Sequence, residues 1–324
     1  MEPTGPPAPL VRIATRGSAL ARWQAEHVAS RLRAARPGLV VELVVVDTLG
    51  DQAIDRPIWE LGGQGIFVKE VQAAVLDGRA DLAVHSAKDL PSDPTLGLPG
   101  LAIAAVPQRG DARDVLVGCR LADIPPGGVV ATGSTRRRAQ LADLRPDLTF
   151  TGLRGNIDTR LRRVGDGVVG AVVMAAAALQ RLGREGFVVE VLEPSTMVPQ
   201  VGQGALAVEC RQDDEPTLAL LAGIEHPPSR RAVDAERAFL ACLGGGCELP
   251  VGAHATVDEA GRMRLRAVLA TLDGRVVLRD EVVAHPGGDP GALGRGLGRR
   301  LLQAGGGRSL LSDMGVRTLE RSLR

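Results

Sequence analysis

Three groups of residues in this 324-residue chain are of types and spacings that could do chemistry. The first is AVHSAKDLP, residues 83–91. His85, Lys88 and Asp89 follow an apolar strand, where α/β proteins place their sites. Lys88 and Lys69 are the only two lysines; every other cationic side chain but histidine is an arginine. An isolated Lys–Asp pair would be a solvated surface pair of little worth. At a strand end, an Asp can stabilise a developing cation or move a proton. The second group is arginines. Residues 136–163 hold eight of them against Asp143, Asp147 and Asp158. Arg138, Arg162 and Arg163 read as solvated helix faces. Arg136, Arg137, Arg154 and Arg160, at strand ends and helix starts, are placed to grip an anion with two-pronged hydrogen bonds. The third is Cys247 in LGGGCELP, residues 243–250. Glycines leave room around a thiol that carries a bulky covalent group. A Gly-rich turn with an incidental cysteine is the competing reading.

The elements that must position these residues follow from periodicity. LVRIAT (10–15) reads as a buried strand. A helix follows with Leu20, Trp23, Val28 and Leu32 on one face, Ser18 as its N-cap and Pro37-Gly38 as its stop. LVVELVVVD (39–47) is the next strand, so Arg16 sits at the turn of a βαβ unit. GGQG (62–65) lacks the Lys-Ser/Thr of a phosphate loop and the spacing of a dinucleotide fingerprint, and reads as a loop before the helix IFVKEVQAAVLDG. Strands ADLAVHS and PGLAIAAV (99–106) complete a first block. A second α/β block starts near 109–118, with strand 128–132, helix 134–146 and strand 148–153. Alternating strands and helices imply parallel-rich sheets, and two such blocks imply a cleft between them. After residue 225 comes a smaller α+β part: a helix, two strands around Asp273-Gly274 as a hairpin signal, and a last helix at about 289–304. No internal repeat recurs at a fixed period.

Bulk properties exclude several classes. A net charge of +1 gives no field for nucleic acid or membranes, and 2% aromatics with no tyrosine leave little for base stacking. The Pro-rich start lacks a signal-peptide core, and no apolar run reaches about 20 residues. None of the four cysteines pairs as C-x-x-C or has a histidine at zinc spacing, so no metal site is expected. Cys119, Cys210 and Cys242 read as small apolar residues. The expectation is a soluble, cytoplasmic protein.

Several long motifs, in order, resemble the porphobilinogen deaminase (hydroxymethylbilane synthase) family: RIATRGSALARWQ, GGQGIFVKE, ADLAVHSAKDLP, GSTRRRAQL, LRGNIDTRL, VGQGALAVECR and AERAFLACLGGGCELPVGA. The resemblance implies an α/β fold of two type II periplasmic-binding-protein-like lobes, with parallel-rich mixed sheets and a smaller C-terminal α+β domain. The implied division is 10–105 with 204–222, then 109–199, then 226–324. It implies a transferase of tetrapyrrole and heme biosynthesis whose Cys247 carries a dipyrromethane cofactor through a thioether. Four porphobilinogen molecules are deaminated and coupled onto this primer, and hydrolysis releases hydroxymethylbilane. Asp89 matches the family's catalytic carboxylate, which stabilises the azafulvene-like cation of each deamination. Ser18, Lys88, Thr132, Ser134, Arg136, Arg137 and Gln203 match cofactor contacts; Arg16, Arg154, Arg160 and Arg181 match substrate contacts. Each such fork is worth roughly 1.5–3 kcal/mol.

The sequence also departs from the family pattern. Glu60 and Gln64 stand where lysines are frequent, Gly244 where a Glu is common, Gly170 where an Asp is and Ala178 where a Gly is. Two rivals remain at this level. A solute-binding module shares the two-lobed fold but needs neither Cys247 nor Asp89. A nucleic-acid binder would use the arginine patch and show steep salt dependence.

Overall fold

The computed structural model describes residues 9–48, 68–93, 98–244, 249–303 and 306–314. Two compact units are present. The first comprises residues 1–90, 97–108 and 206–227; the second comprises 91–96, 109–205 and 228–324.

The first unit is built on a five-stranded sheet in the order β2-β1-β3-β10-β4. Its strands are β1 (Leu10–Arg16), β2 (Val40–Val46), β3 (Leu82–Ser86), β4 (Leu101–Ala105) and β10 (Leu206–Arg211). β1 runs parallel to β2 and β3, whereas β10 is antiparallel to β3 and β4. The apolar residues of β1 and β3 alternate between two cores, as the two-residue period of a strand dictates. Ile13, Leu82 and Val84 face Val28 and Leu32 of helix α1 (Ala19–Ala35), with Leu221 of α6 (Glu215–Ala222). Ala14 and Ala83 face Val71 and Val75 of α2 (Lys69–Leu76).

Helix α1 begins as expected: Ser18 Oγ accepts from the Ala21 N–H at 3.2 Å. It ends before Gly38, whose φ of 83° suits only glycine. Its buried stripe is Ala21, Gln24, Ala25, Val28, Ala29 and Leu32. The expected face is therefore rotated: Leu20 is half-buried and Trp23 is exposed, stacking on His27 at 5.0 Å. Alanines bring the helix close to the sheet and leave no room for an indole.

The second unit holds a second five-stranded sheet, β7-β6-β8-β5-β9. Its strands are β5 (Asp114–Val117), β6 (Val129–Ala131), β7 (Thr149–Thr151), β8 (Ala171–Ala175) and β9 (Val188–Leu192). β6 is parallel to β7 and β8, and β5 is antiparallel to β8 and β9. Strand for strand this is the spatial order and direction of the first sheet, but the antiparallel strand enters first in the chain here (β5) and last there (β10). A repeat therefore exists in strand arrangement although none is visible as a sequence period. Helix α3 (Thr135–Leu144) covers one face through Leu141; α4 (Ile157–Gly165) and α5 (Ala176–Arg181) cover the other through Leu161 and Leu179.

The same unit carries an antiparallel sheet β11-β12-β13 (Val251–Val257, Met263–Ala270, Val277–Ala284). Its core packs α7 (Pro227–Cys242), α8 (Pro290–Gln303) and α9 (Gly307–Asp313). α9 is an element the sequence reading did not foresee. The hairpin at Asp273-Gly274 is present but wider than a two-residue turn, with Thr271 N donating to Val276 O at 2.9 Å. α7 and α8 cross where Gly294 lies: a Cβ there would stand 2.1 Å from Ala235 O. Cys242 packs in the same crossing, its Sγ 3.0 Å from where a Cβ on Gly298 would stand. That is the small apolar role expected of it.

Candidate functional site

In each five-stranded sheet the parallel strands end at one edge, and the chemistry-bearing residues collect there. In the first unit Arg16 closes β1. Thr15 beside it is fully buried and donates Oγ1 to Ala21 O at 3.1 Å, tying the strand end to the first turn of α1. Ser18 caps that helix. β3 ends at Ser86 and runs into a 3₁₀ turn, Ala87–Asp89. Lys88 is half-buried and Asp89 exposed on this turn, between buried Ala87 and Leu90.

In the second unit β6 leads into Thr132 and Ser134. Thr132 Oγ1 accepts from Ser134 N at 3.2 Å, and Ser134 Oγ caps α3 by accepting from Arg137 N at 3.4 Å. The next turn carries Arg136 and Arg137, both buried, at 3% and 8% exposure. Their partner is Asp114, the first residue of β5 and wholly buried. It lies at this edge because β5 is antiparallel and begins opposite Ala175, the end of β8. Asp114 accepts from Arg136 Nη1 at 2.7 Å, Arg137 Nε at 3.0 Å and Nη2 at 2.8 Å, and Gln203 Nε2 at 2.8 Å. Gln203 also donates to Ala112 O at 2.7 Å. One carboxylate thus gathers three of the residues singled out from sequence, yet sequence reasoning passed over Asp114 itself. The available signal was an acid opening the apolar run DVLV, a place where a lone charge must find a partner.

The electrostatics follow from burial. Desolvation alone would raise the Asp114 pKa. Arg136 and Arg137 outweigh it by attraction, with hydrogen bonds from Arg136 and Gln203, and hold it far below the usual carboxylate range. Burial lowers the Arg136 pKa, Asp114 opposes this, and Arg137 adds to the lowering. Burial likewise lowers Arg160, with Arg137 contributing. It brings Arg181 down to about 10. All remain cations at neutral pH. Arg160 Nε donates to Gly155 O at 2.8 Å, and Arg181 Nη2 to Gly204 O at 2.7 Å. Arg154 is exposed just past β7; Arg138, Arg162 and Arg163 are exposed on their helices.

The burial of Arg136 comes from the third sheet. Gly252 of β11 sits so close that a Cβ would stand 3.0 Å from Arg136 Cδ and 2.6 Å from Pro199 O. Arg136 and Arg137 therefore differ from the expected open forks. They are spent largely on Asp114 because a buried carboxylate and a helix turn offer the strongest partners in reach. Two guanidiniums on one carboxylate still leave a surplus positive charge. Nε and Nη2 of Arg136 and Oε1 of Gln203 are buried without a hydrogen-bond partner.

Cys247 lies outside the described residues, as do Glu60 and Gln64. Its flanks are anchored: Leu243 and Leu249 are both buried in the core of the third sheet. Among the described residues, no group of three or more His, Cys, Asp or Glu side chains gathers as for a metal ion.

Two α/β sheets of matched strand order and a surplus of guanidinium at a strand-end edge define an α/β protein with a cationic strand-end site. Comparison with known proteins narrows this. Residues 11–219 match the family described as porphobilinogen deaminase, dipyromethane cofactor binding domain, and residues 231–303 match the porphobilinogen deaminase C-terminal domain. A porphobilinogen deaminase of Roseiflexus castenholzii is 48% identical over 297 residues, covering 91% of this chain and 96% of the relative. One of Nitratidesulfovibrio vulgaris is 45% identical over 310 residues, covering 94% and 96%. The chain belongs to the porphobilinogen deaminase family. Both five-stranded sheets lie almost wholly within residues 11–219, the stretch that matches the cofactor-binding domain. Among solved structures, the aliphatic sulphonate binding protein SsuA of Escherichia coli overlaps at a TM-score of 0.40 with 16% identity, over 73% of this chain and 70% of that one. So loose an overlap carries no argument.

The donor set fits the family's cofactor. A dipyrromethane bears acetate and propionate carboxylates, and the surplus charge and unanswered N–H groups beside Asp114 lack an anion of that kind.

Proposed function

We propose that the chain is a hydroxymethylbilane synthase of tetrapyrrole biosynthesis, a transferase that joins four porphobilinogen molecules head to tail and releases hydroxymethylbilane by hydrolysis. Dipyrromethane, held through a thioether to Cys247, supplies the primer on which coupling begins. The chain's own residues supply charge and position. Asp89, exposed on its turn, assists loss of ammonia from porphobilinogen and stabilises the cation that results. Lys88 and Ser18 accompany it as cofactor contacts. Thr132, Ser134, Arg136, Arg137 and Gln203 hold the cofactor's carboxylates, and Arg16, Arg154, Arg160 and Arg181 hold those of substrate and product. Every added pyrrole brings two more carboxylates, so anionic charge accumulates as the chain lengthens, and arginines answer it without titrating.

The observation that carries this reading is the cationic surplus around Asp114 at the start of α3, inside the region that matches the cofactor-binding family. The third domain, 226–324, carries Cys247; the first, 10–105 with 204–222, carries Asp89; the second, 109–199, carries Arg136, Arg137, Arg154, Arg160 and Arg181. The protein works as a cytoplasmic monomer on a small-molecule substrate, without nucleic acid or membrane. No helix among the described residues is long and apolar enough to cross a membrane.

Intact mass tests the reading. Active wild-type protein should be heavier than its bare chain by one dipyrromethane, and Cys247→Ser should lack that increment and the activity. An active protein with the mass of the bare chain refutes it.

A further inference from the structure

Two glutamines in the first unit lie where packing alone calls for apolar residues. Gln24 is 4% exposed on the buried stripe of α1, among Ala21, Ala25 and Val28. Gln72 is 4% exposed on the buried face of α2, beside Val71 and Val75. Burying an amide costs free energy unless it is hydrogen-bonded. Both amides are bonded, one to the last residue of β3 and the other to the adjacent strand β10. Gln24 Nε2 donates to Ser86 Oγ at 2.9 Å. Gln72 Nε2 donates to Glu209 Oε2 at 2.9 Å, and that oxygen lies 3.2 Å from His85 Nε2, a close contact in which the imidazole nitrogen makes no hydrogen bond.

The register explains the geometry. Along β3, Leu82 and Val84 face the α1 core while Ala83 faces the α2 core. His85 therefore falls on the α2 side and Ser86 on the α1 side. Glu209 reaches His85 from β10, whose Ala207 pairs with His85. Of the last two residues of the strand, Ser86 is hydrogen-bonded from one face and His85 lies in contact with Glu209 on the other, one step before the turn that bears Lys88 and Asp89. The turn's closing bond, Leu90 N to Ala87 O, is 3.4 Å long, and Asp89 is exposed.

We propose that Gln24–Ser86 and Gln72–Glu209–His85 form a two-sided brace that fixes the Ala87–Asp89 turn, making Gln24, Gln72, His85 and Ser86 positioning residues for the Asp89 carboxylate. The inference rests on the reading of Asp89 as the catalytic group. Misplacing a reacting group by about 1 Å can cost on the order of 100-fold in rate.

Gln24→Met and Gln72→Met test it, since a methionine keeps the volume and suits an apolar stripe. Each variant is expected to lower kcat roughly 10-fold and the pair about 100-fold, with KM within about twofold and the dipyrromethane mass increment intact; Tm should hold for Gln24→Met and fall by a few degrees for Gln72→Met, which strips the buried Glu209 of a donor. Wild-type kcat in the double variant overturns the brace, as does a lowered Tm with kcat unchanged. Should the double variant fail to fold, Ser86→Ala decides the α1 side. It should match Gln24→Met in kcat, and the two together should be no worse than either alone. Fully additive losses, or none, overturn it. An Asp89→Asn variant that keeps its turnover sinks the reading of Asp89 instead, so the two failures are distinguishable.

Discussion

On β5 of the second sheet Asp114 faces two arginines and a glutamine; on β10, its spatial counterpart in the first sheet, Glu209 faces a histidine and a glutamine. Each carboxylate sits on the antiparallel strand: Glu209 is beside β3, whose end bears Lys88 and Asp89, and Asp114 is reached from α3, which follows β6 two strands away. In the second sheet it gathers strong cations and leaves one in surplus, suited to anionic ligands. In the first sheet the partners are weaker, and what they hold in place is a turn presenting an acid. One strand arrangement thus serves two tasks. The difference lies in which side chains the antiparallel strand meets.

The largest expected effect concerns the acid itself. Asp89→Asn should lower kcat by about 1,000-fold or more, the upper range for a group that moves a proton or meets developing charge. Its intact mass should still include the cofactor. A small loss would mean that the first sheet does not supply the reacting group.

The two buried carboxylates come next. Asp114→Asn leaves two buried guanidiniums without their anion and should cost about 3–5 kcal/mol in urea denaturation. Glu209→Gln, facing an amide and an imidazole, should cost only about 1–2 kcal/mol. Equal losses would erase the contrast between the sheets.

Arg154→Ala should raise KM roughly 10–100-fold, the loss of one charge-assisted fork. Arg162→Ala, on the exposed face of α4, should change it less than about twofold. Similar values for both would show that the cationic edge acts by bulk charge rather than by placed guanidiniums.

The smallest effect lies outside both five-stranded sheets, on β11. Burial lowers the His254 pKa to about 4, with Glu236 opposing and Arg109 and Arg266 adding. The unfolded chain therefore binds a proton between about pH 6.5 and pH 4 that the folded chain does not. Folded-state stability should rise with pH across that window and fall as it is acidified. Tm should drop a few degrees on the order set by domain size, and His254→Gln should flatten the slope. An unchanged slope would place the acid sensitivity in the two larger sheets.

Local signals made much of this legible in the sequence. Ser18 as N-cap, the glycine after α1, the strands β1 and β3 and the turn bearing Asp89 all depend on near neighbours, and the structure has them where periodicity and capping put them. The two antiparallel strands, β5 and β10, were not legible. Their direction is fixed by where the chain enters each sheet, and nothing within DVLV or LAVECR encodes that. The outward face of Trp23 was likewise decided by how closely alanines let α1 approach the sheet.

The sequence by itself determined the family, the order of its motifs and the chemical types at each strand end, because long motifs and short-range periodicity survive without coordinates. Only the tertiary structure decided that Arg136 and Arg137 are buried on Asp114 and that Gln24 and Gln72 reach β3 and β10. Charge pairing and hydrogen bonding across tens of residues depend on distance in space, which sequence separation does not report.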